Sequence, residues 1–380
     1  MPVERGAPHL AGSSRKVPRA AARGHAAARA GGCPMRRLRI LHVTTSDRFA
    51  GVEQFIRRLA TIQAADGHDV LVAGGDPAMM AGPLREAGVP FAPSASFGQA
   101  LTAIRSADVD VVNAHMTSAD LAAIAASLVT RPSPALVSTR HFALRRGSTG
   151  PGAAYRLAER MLDAEIAISD AVAESIRVAS TVVHPGVDPV DDAGLIRARS
   201  VLMAQRLQPE KSTADGIRAF AASGIAADGW RLDIAGSGPD EQHLRRLVEE
   251  RGLADHVRFL GFRDDLPHLM QAAGMLLATS PFEHFGLTVV ESMASGLPVV
   301  ATDAGGHAEM LRDLDGAALF APGDEQGAAA LLRTLAADAP RRAALAQAQR
   351  RRQRERFTLR GQAGATELVY RRAIERRRAR

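Results

Sequence analysis

Two glutamates, Glu283 and Glu291, bracket the apolar segment "HFGLTVV" between two strand-like runs, "MLLATS" (275–280) and "LPVVATD" (297–303). Taken alone, Glu283 reads as a solvated loop residue and Glu291 as a first-turn helix glutamate favoured by the macrodipole. The loop before them contains a glycine and runs onto a helix predicted to start near Gly286 or Leu287. Free backbone N–H groups and the positive dipole end make such a start an anion site. Glu283 then lies in its mouth and Glu291 about one turn inside, on a different helical face. Carboxylates repel a phosphate, so they are not its ligands. They suit hydroxyl groups on either side of it. A nucleotide-diphosphate sugar supplies that pattern: hydroxyls on the sugar, two phosphates, then hydroxyls on the ribose.

Cations for the diphosphate stand after another predicted strand. "SVLMA" leads into "QRLQPEKS", which offers Arg206 and Lys211. Of 48 basic residues only Lys16 and Lys211 are lysine. Where arginine fills almost every cationic position, a lone lysine points to a site wanting a compact, rotatable ammonium. A guanidinium fork and an ammonium converging on one spot suit a diphosphate; the alternative is two solvated loop cations. "AGSGPDEQHL" (235–244) places Gly236 and Gly238 in a turn from strand to helix, a weak signal because tight turns need glycine anyway. "GFRDDLPHLM" (261–270) repeats the arrangement, with Arg263 after a strand end as a candidate contact to the donor's base, and Asp264 or Asp265 near a helix cap.

Elements that could position these residues recur along the chain. "LRILHVTT" (38–45), "DVLVAGG" (69–75), "VDVVNAH" (109–115), "ALVSTRH" (135–141), "AEIAIS" (164–169) and "TVVHPG" (181–186) read as strands, with a helix opening at Gly51. After the Pro/Gly/Asp-rich "PGVDPVDDAG" (185–194) the rhythm restarts with "SVLMAQ" (200–205), "WRLDIAG" (230–236), "HVRFLG" (256–261), the two strands flanking the glutamates, and "GAALF" (316–320). Apolar strand runs joined by helical crossovers indicate parallel sheets covered on both faces. The expected fold is α/β, with two Rossmann-like doubly wound domains facing a central cleft. Expected boundaries are a basic disordered leader over 1–35, domains over 36–190 and 191–355, and a basic helix over 356–380 that packs back on the first domain. Ligands of such sheets bind outside the carboxyl ends of the strands.

The chain has 380 residues and a net charge of +7, unevenly spread. Residues 1–39 carry nine Arg/Lys and one acid, and residues 341–380 carry fourteen Arg and three acids, leaving −12 on the body between. An acidic body with basic ends is a poor nucleic-acid reader, and no nucleic-acid partner is expected. The Ala/Arg/Gly/Pro-rich leader lacks the apolar region of a secretory signal. It reads as disordered or as an extension upstream of Met35, with an organellar transit peptide as the rival. The lone Cys33 excludes a disulfide framework and points to a reducing compartment. No run of about 18 apolar residues spans a membrane.

In combination, Arg206 with Lys211, "GSGP", "GFRDD" and above all "EHFGLTVVE" followed by "SMASGLPVVATDAGG" resemble the retaining glycosyltransferases of GT-B fold, family-four type. The resemblance runs from residue 38 to about 360. It implies that Glu283 contacts hydroxyls of the donor sugar and Glu291 those of the ribose. Arg206 and Lys211 neutralise the diphosphate, assisted by the amides of Phe285, Gly286 and Leu287. "RFAGVEQFI" stands where the family has a glycine-rich loop with a following glutamate, with Gly51 present and Ala50 in place of the second glycine. "NAH" (113–115) and "STRH" (138–141) match acceptor-side segments, and His141 corresponds to a histidine near the reacting end of the sugar. His115 reads equally as a strand-end cap; for His141 that is the lesser alternative.

The implied reaction moves a sugar from a UDP-, GDP- or ADP-linked donor to an acceptor hydroxyl with retention of configuration. The leaving phosphate accepts the proton. No cofactor is expected. Neither an Asp-x-Asp nor a clustered histidine set of the kind that holds a divalent cation beside phosphates is expected, so no metal is expected either. Partners are the donor and a carbohydrate or lipid-linked acceptor, in the cytoplasm. The arginines around "YRRAIERRR" (370–378) suit peripheral attachment to an anionic membrane surface, or simply a solvated helix. A GT-B nucleotide-sugar epimerase keeps the fold and needs no acceptor. A glycoside hydrolase using Glu283 and Glu291 as its carboxylate pair has no use for a diphosphate clamp.

Overall fold

Continuous apolar runs become buried parallel strands. The computed structural model describes residues 36–130, 132–144, 155, 158–191 and 196–380; the leader over 1–35, including Cys33, and the end of the expected linker (192–194) lie outside the described residues. The first sheet contains β1 (Arg39–Thr44), β2 (Asp69–Ala73), β3 (Phe91–Ala92), β4 (Val111–His115), β5 (Ala135–Arg140), β6 (Ala164–Ala167) and β7 (Thr181–Val182). Its order is β3-β2-β1-β4-β5-β6-β7, every pairing parallel. Helices α1 (Gly51–Ala65), α2 (Pro77–Glu86), α3 (Phe97–Ser106), α4 (Thr117–Val129) and α5 (Asp170–Ile176) connect the strands. Every residue of β4 and β5 is buried, as a sheet covered on both faces requires.

The second sheet repeats the plan with β8 (Ser200–Ala204), β9 (Arg231–Ala235), β10 (Val257–Gly261), β11 (Met275–Ala278), β12 (Val299–Thr302) and β13 (Leu319–Phe320) in the order β10-β9-β8-β11-β12-β13. Its helices are α6 (Thr213–Ser223), α7 (Glu241–Glu250), α8 (Leu266–Ala272), α9 (Leu287–Ala294), α10 (Gly305–Leu311), α11 (Glu325–Ala337) and α12 (Ala339–Arg356), followed by α13 (Leu359–Ala379). In each sheet the strand order reverses beside the first strand, at β1/β4 and β8/β11. A crevice opens there, at the carboxyl ends.

One apolar cluster runs through both lobes and includes Ile40, Phe55, Val183, Phe285, Phe357 and Tyr370. The chain crosses between lobes twice, and the crossings are tied together. Val187 N donates to Phe357 O at 3.0 Å, and Gly186 N donates to Gln362 Oε1 at 2.7 Å. A Cβ on Gly186 would lie 2.1 Å from Thr358 O, so only glycine lets the two crossings touch. Helix α13 then packs on α1, β5 and β6 of the first lobe, where Tyr370, fully buried, accepts from Asn113 Nδ2 at 2.7 Å. Its arginines are largely engaged: Arg376 and Arg377 donate to Asp163, Arg380 pairs with it, and Arg371 pairs with Glu367. No described helix is long and apolar enough to cross a membrane.

Candidate active site

On the second lobe the site grows from the carboxyl ends of β8 and β11. After β8 the segment 205–207 pairs with 235–237, Leu207 N donating to Ser237 O at 3.0 Å. Cβ atoms on Gly236 and Gly238 would fall 1.9 Å from Gln205 O and 2.2 Å from Leu207 O. These glycines therefore serve close backbone approach, and they fix the start of the Arg206–Lys211 loop. Its end is held by Gln205 Nε2 and Thr279 Oγ1, which both donate to Lys211 O, at 3.1 and 2.9 Å.

Lys211 so placed donates Nζ to Glu283 Oε2 at 2.6 Å, both side chains about four-fifths buried. Burial pushes the Glu283 carboxyl up, but the charge and hydrogen bond of Lys211 outweigh it and hold the group below its ordinary value. Glu283 is thus an anionic acceptor with a free edge, as a hydroxyl ligand requires. Arg206 does not join this pair. It is exposed and lies 3.8 Å from Glu210, a surface ion pair of little worth. Arg263 is likewise exposed and paired within its own turn, donating Nε to Asp265 Oδ1 at 2.7 Å.

The loop carrying Glu283 is cradled by a glycine pair whose purpose sequence reading left open. Gly306 N donates to Glu283 O at 2.8 Å, and a Cβ on Gly306 would stand 2.1 Å from Phe285 O. Gly286 adopts φ +99°, a left-handed conformation suited to glycine, and caps α9. Below it His307, fully buried, hydrogen-bonds Thr302 Oγ1 at 3.0 Å and burial lowers its pKa to about 4. Phe285 is buried against His184 and Phe357, anchoring the loop between the crossings.

The first lobe faces this loop directly. Gly51 opens α1 with its Cβ position 3.9 Å from Leu287 Cδ1. Ala50 is extended (φ −142°), so the position needs no glycine; its N–H donates to Glu53 Oε2 at 2.9 Å. Two turns along α1, Arg58 Nη2 donates to Glu291 Oε1 at 2.6 Å and Gln54 Nε2 reaches the same oxygen at 3.5 Å. Ala143 N donates to His284 Nδ1 at 3.2 Å, and Ser169 Oγ donates to His284 O at 2.5 Å. His115 and His141, at the ends of β4 and β5, hydrogen-bond each other at 2.9 Å. Met116, next in the chain, holds φ +77°, the kind of strained backbone that gathers at functional sites. Arg58, His307 and the Gly305–Gly306 cradle escaped sequence reading. Only the helical spacing of Gln54 and Arg58, both on one face of α1, could have flagged the first.

Three groups among the described residues have cation-binding spacing. Contrary to the expectation of no Asp-x-Asp, Asp108 and Asp110 form one, at the amino end of β4, where both bind Arg39, and Asp313 and Asp315 form another, exposed in the turn after α10. Asp170, His184 and Glu309 offer ligand atoms within 4.8 Å of one another. There Glu309 already accepts from Asp170 N at 3.0 Å and from His184, an inter-lobe cap on α5.

Comparison with known proteins bears on this arrangement. Residues 197–352 match the family model described as Glycosyl transferases group 1, and residues 49–191 that described as Glycosyltransferase Family 4. HepE of Anabaena, solved in complex with UDP and glucose, superposes with a TM-score of 0.75 at 24% identity, over 87% of this chain and 99% of that one. The fold is that of a GT-B glycosyltransferase. Among curated relatives, the lipopolysaccharide core biosynthesis mannosyltransferase LpsB of Rhizobium meliloti is 32% identical over 170 residues, 40% of this chain and 48% of that one. An exopolysaccharide phosphotransferase of Streptomyces coelicolor is 33% identical over 145 residues, 38% and 15%. The chain spans less than half the length of these curated relatives. Within the GT-B frame, Lys211, Glu283, Glu291 and the start of α9 lie at the switch-point crevice of the second sheet, and His115, His141 and Gly51 at that of the first.

Proposed function

We propose that the protein is a retaining, metal-independent glycosyltransferase that moves a hexosyl or related sugar from a nucleotide-diphosphate sugar to a hydroxyl of a carbohydrate or lipid-linked acceptor. The observation that carries the reading is the Lys211–Glu283 pair, set 2.6 Å apart beside the amino end of α9. Cation, dipole and anionic acceptor together match a diphosphate flanked by hydroxyls. In the reaction the bond from the anomeric carbon to the diphosphate oxygen breaks, and the diphosphate keeps the electron pair. The acceptor oxygen bonds the same face of that carbon and loses its proton to the departing diphosphate. Lys211 and the amides at Phe285, Gly286 and Leu287 stabilise the charge that develops on the leaving group, the kind of contribution whose single removal costs roughly 10²–10³-fold. Arg206, held only at the surface, is free to swing onto the diphosphate. Glu283 would hold hydroxyls of the sugar, and Glu291 those of the ribose once Arg58 yields. His141 would stand near the reacting carbon. Arg372 and Arg378, exposed on α13 and without an ion pair among the described residues, are the cations left to meet an anionic membrane.

The test is incubation with UDP-, GDP- and ADP-sugars and a panel of carbohydrate and lipid-linked acceptors, with and without EDTA. Nucleoside diphosphate release and the anomeric configuration of the product are the readouts. Inverted product or EDTA-sensitive turnover removes the corresponding part of the reading. Consumption of donor without any acceptor replaces it by an epimerase.

A further inference from the structure

Behind His141 runs a chain of buried imidazoles that the proposed reaction leaves unexplained. His141 Nε2 lies 2.9 Å from His115 Nδ1, His115 Nε2 lies 3.1 Å from His42 Nδ1, and His42 Nε2 lies 2.8 Å from Gln63 Oε1. The three rings come from the carboxyl ends of adjacent strands β1, β4 and β5, and Gln63 from α1 above them. His42, His115 and Gln63 are at most 1% exposed and His141 is 7% exposed. Successive rings sit 5.4 and 5.2 Å apart, and Phe55 packs edge-on against both His115 and His141. Burial keeps all three neutral at physiological pH, with His42 lowered to about 4 and His141 to about 3.

A neutral imidazole has one N–H and one lone pair, so such a chain has a direction, set by its last member. The carbonyl oxygen of Gln63 can only accept. His42 must therefore carry its proton on Nε2 and accept at Nδ1. His115 must then donate from Nε2 and accept at Nδ1, and His141 must donate from Nε2. Its Nδ1 is left with a lone pair and no partner among the described residues.

We infer that His115, His42 and Gln63 are positioning residues that hold His141 as its Nε2–H tautomer, so that Nδ1 offers a lone pair to a hydroxyl of the bound sugar. A histidine so held accepts from a hydroxyl and has no proton to give a diphosphate oxygen. The role assigned to the sugar rests on the proposed function; the tautomer does not.

Long-range 1H–15N spectra of the full-length protein labelled on histidine read the tautomer without turnover. All three histidines are expected as Nε2–H with an unprotonated Nδ1. Gln63→Leu removes the terminal acceptor, and His141 should then show a mixture of tautomers. With whichever of UDP-glucose, GDP-mannose and ADP-glucose is turned over, kcat should fall roughly ten- to hundredfold, as when groups orienting metal-bound imidazoles are removed. KM should stay within about twofold, because the direct contacts are intact. Gln63→Glu, whose side chain still accepts, should keep the Nε2–H pattern and recover most of kcat. His141 found as Nδ1–H, or a Gln63→Leu protein with unchanged spectra and kcat, overturns the inference. So does Gln63→Glu behaving like Gln63→Leu. An Nε2–H His141 in a protein that transfers no sugar would instead sink the reaction and leave the chain's direction standing. Should Gln63→Leu fail to fold, the wild-type and Gln63→Glu spectra still decide.

Discussion

Arg58 of α1 donates Nη2 to Glu291 Oε1 of α9 at 2.6 Å, across the two lobes. The carboxylate proposed for the ribose is therefore already occupied, and a ribose must displace the guanidinium. Both side chains are partly exposed, at 28% and 18%, so the pair is worth about 0.2–1 kcal/mol. Arg58→Ala should tighten UDP binding by up to about fivefold, since about 1.4 kcal/mol is tenfold. Glu291→Ala should weaken it. Titration calorimetry with UDP checks both, and an Arg58→Ala protein that binds UDP more weakly would make Arg58 a ligand instead of a competitor.

Lys211 and Glu283 act as one unit. Lys211→Met leaves a largely buried carboxylate unpaired, and transfer should fall by roughly 10²–10³-fold with a stability loss of about 1–3 kcal/mol. The pH dependence has a definite sign. Glu283 is held below its ordinary 4.5 in the folded protein, so the unfolded chain takes up its proton first on acidification. The stabilisation by Lys211 is complete above about pH 4.5 and disappears as pH falls through the folded value. Urea unfolding at pH 7 and pH 3.5 should show the gap between wild type and Lys211→Met shrinking with acid. A gap of equal size at both values would detach the pair from Glu283 ionisation.

Much of the frame was legible because parallel strands buried on both faces must be apolar throughout. "VVNAH", "ALVSTR" and "SVLMA" announce themselves without alternation, and every one is a strand. The two-residue edge strand Phe91–Ala92 carried too little pattern to be read. Lys211 stood out through its rarity, and its partner Glu283 through the glycine loop beside it. What the sequence hides is pairing across long separations. Arg206 and Lys211 look like a matched clamp five residues apart, yet Lys211 turns to Glu283 and Arg206 to Glu210. His42, Gln63 and His115 are spread over 73 residues, and no spacing rule joins them.

The buried histidines predict acid sensitivity well above the carboxylate range. His307 is lowered by burial from 6.5 to about 4, as is His42. The unfolded chain binds their protons below about pH 6.5 while the folded one refuses them, so stability is full above 6.5 and declines as pH falls toward 4. For His307 alone that amounts to about 3 kcal/mol by pH 4. Unfolding midpoints measured from pH 8 to pH 4 should fall steeply below 6.5 in the wild type and less steeply in His307→Asn. Parallel curves would mean that His307 is protonated in the folded state.

Two glycine substitutions separate loop geometry from general stability. A methyl on Gly306 would lie 2.1 Å from Phe285 O and 2.4 Å from Phe285 Cα, backbone atoms that cannot step aside as a flexible side chain would. Gly306→Ala must therefore push the 283–286 loop off its seat, at a cost of about 1–3 kcal/mol typical of overpacking. Glu283 moves with that loop, so UDP-sugar turnover should drop at least tenfold even where the protein remains folded. Gly364 is the contrast: it lies exposed within α13, and a methyl there would meet nothing within 4 Å. Gly364→Ala removes a helix-weakening glycine and should stabilise by about 0.5–1 kcal/mol with turnover unchanged. Denaturant midpoints and initial rates on both variants decide the matter. A Gly306→Ala enzyme with wild-type rates would show that the loop tolerates displacement, and Glu283 would lose its claim to a fixed place beside Lys211.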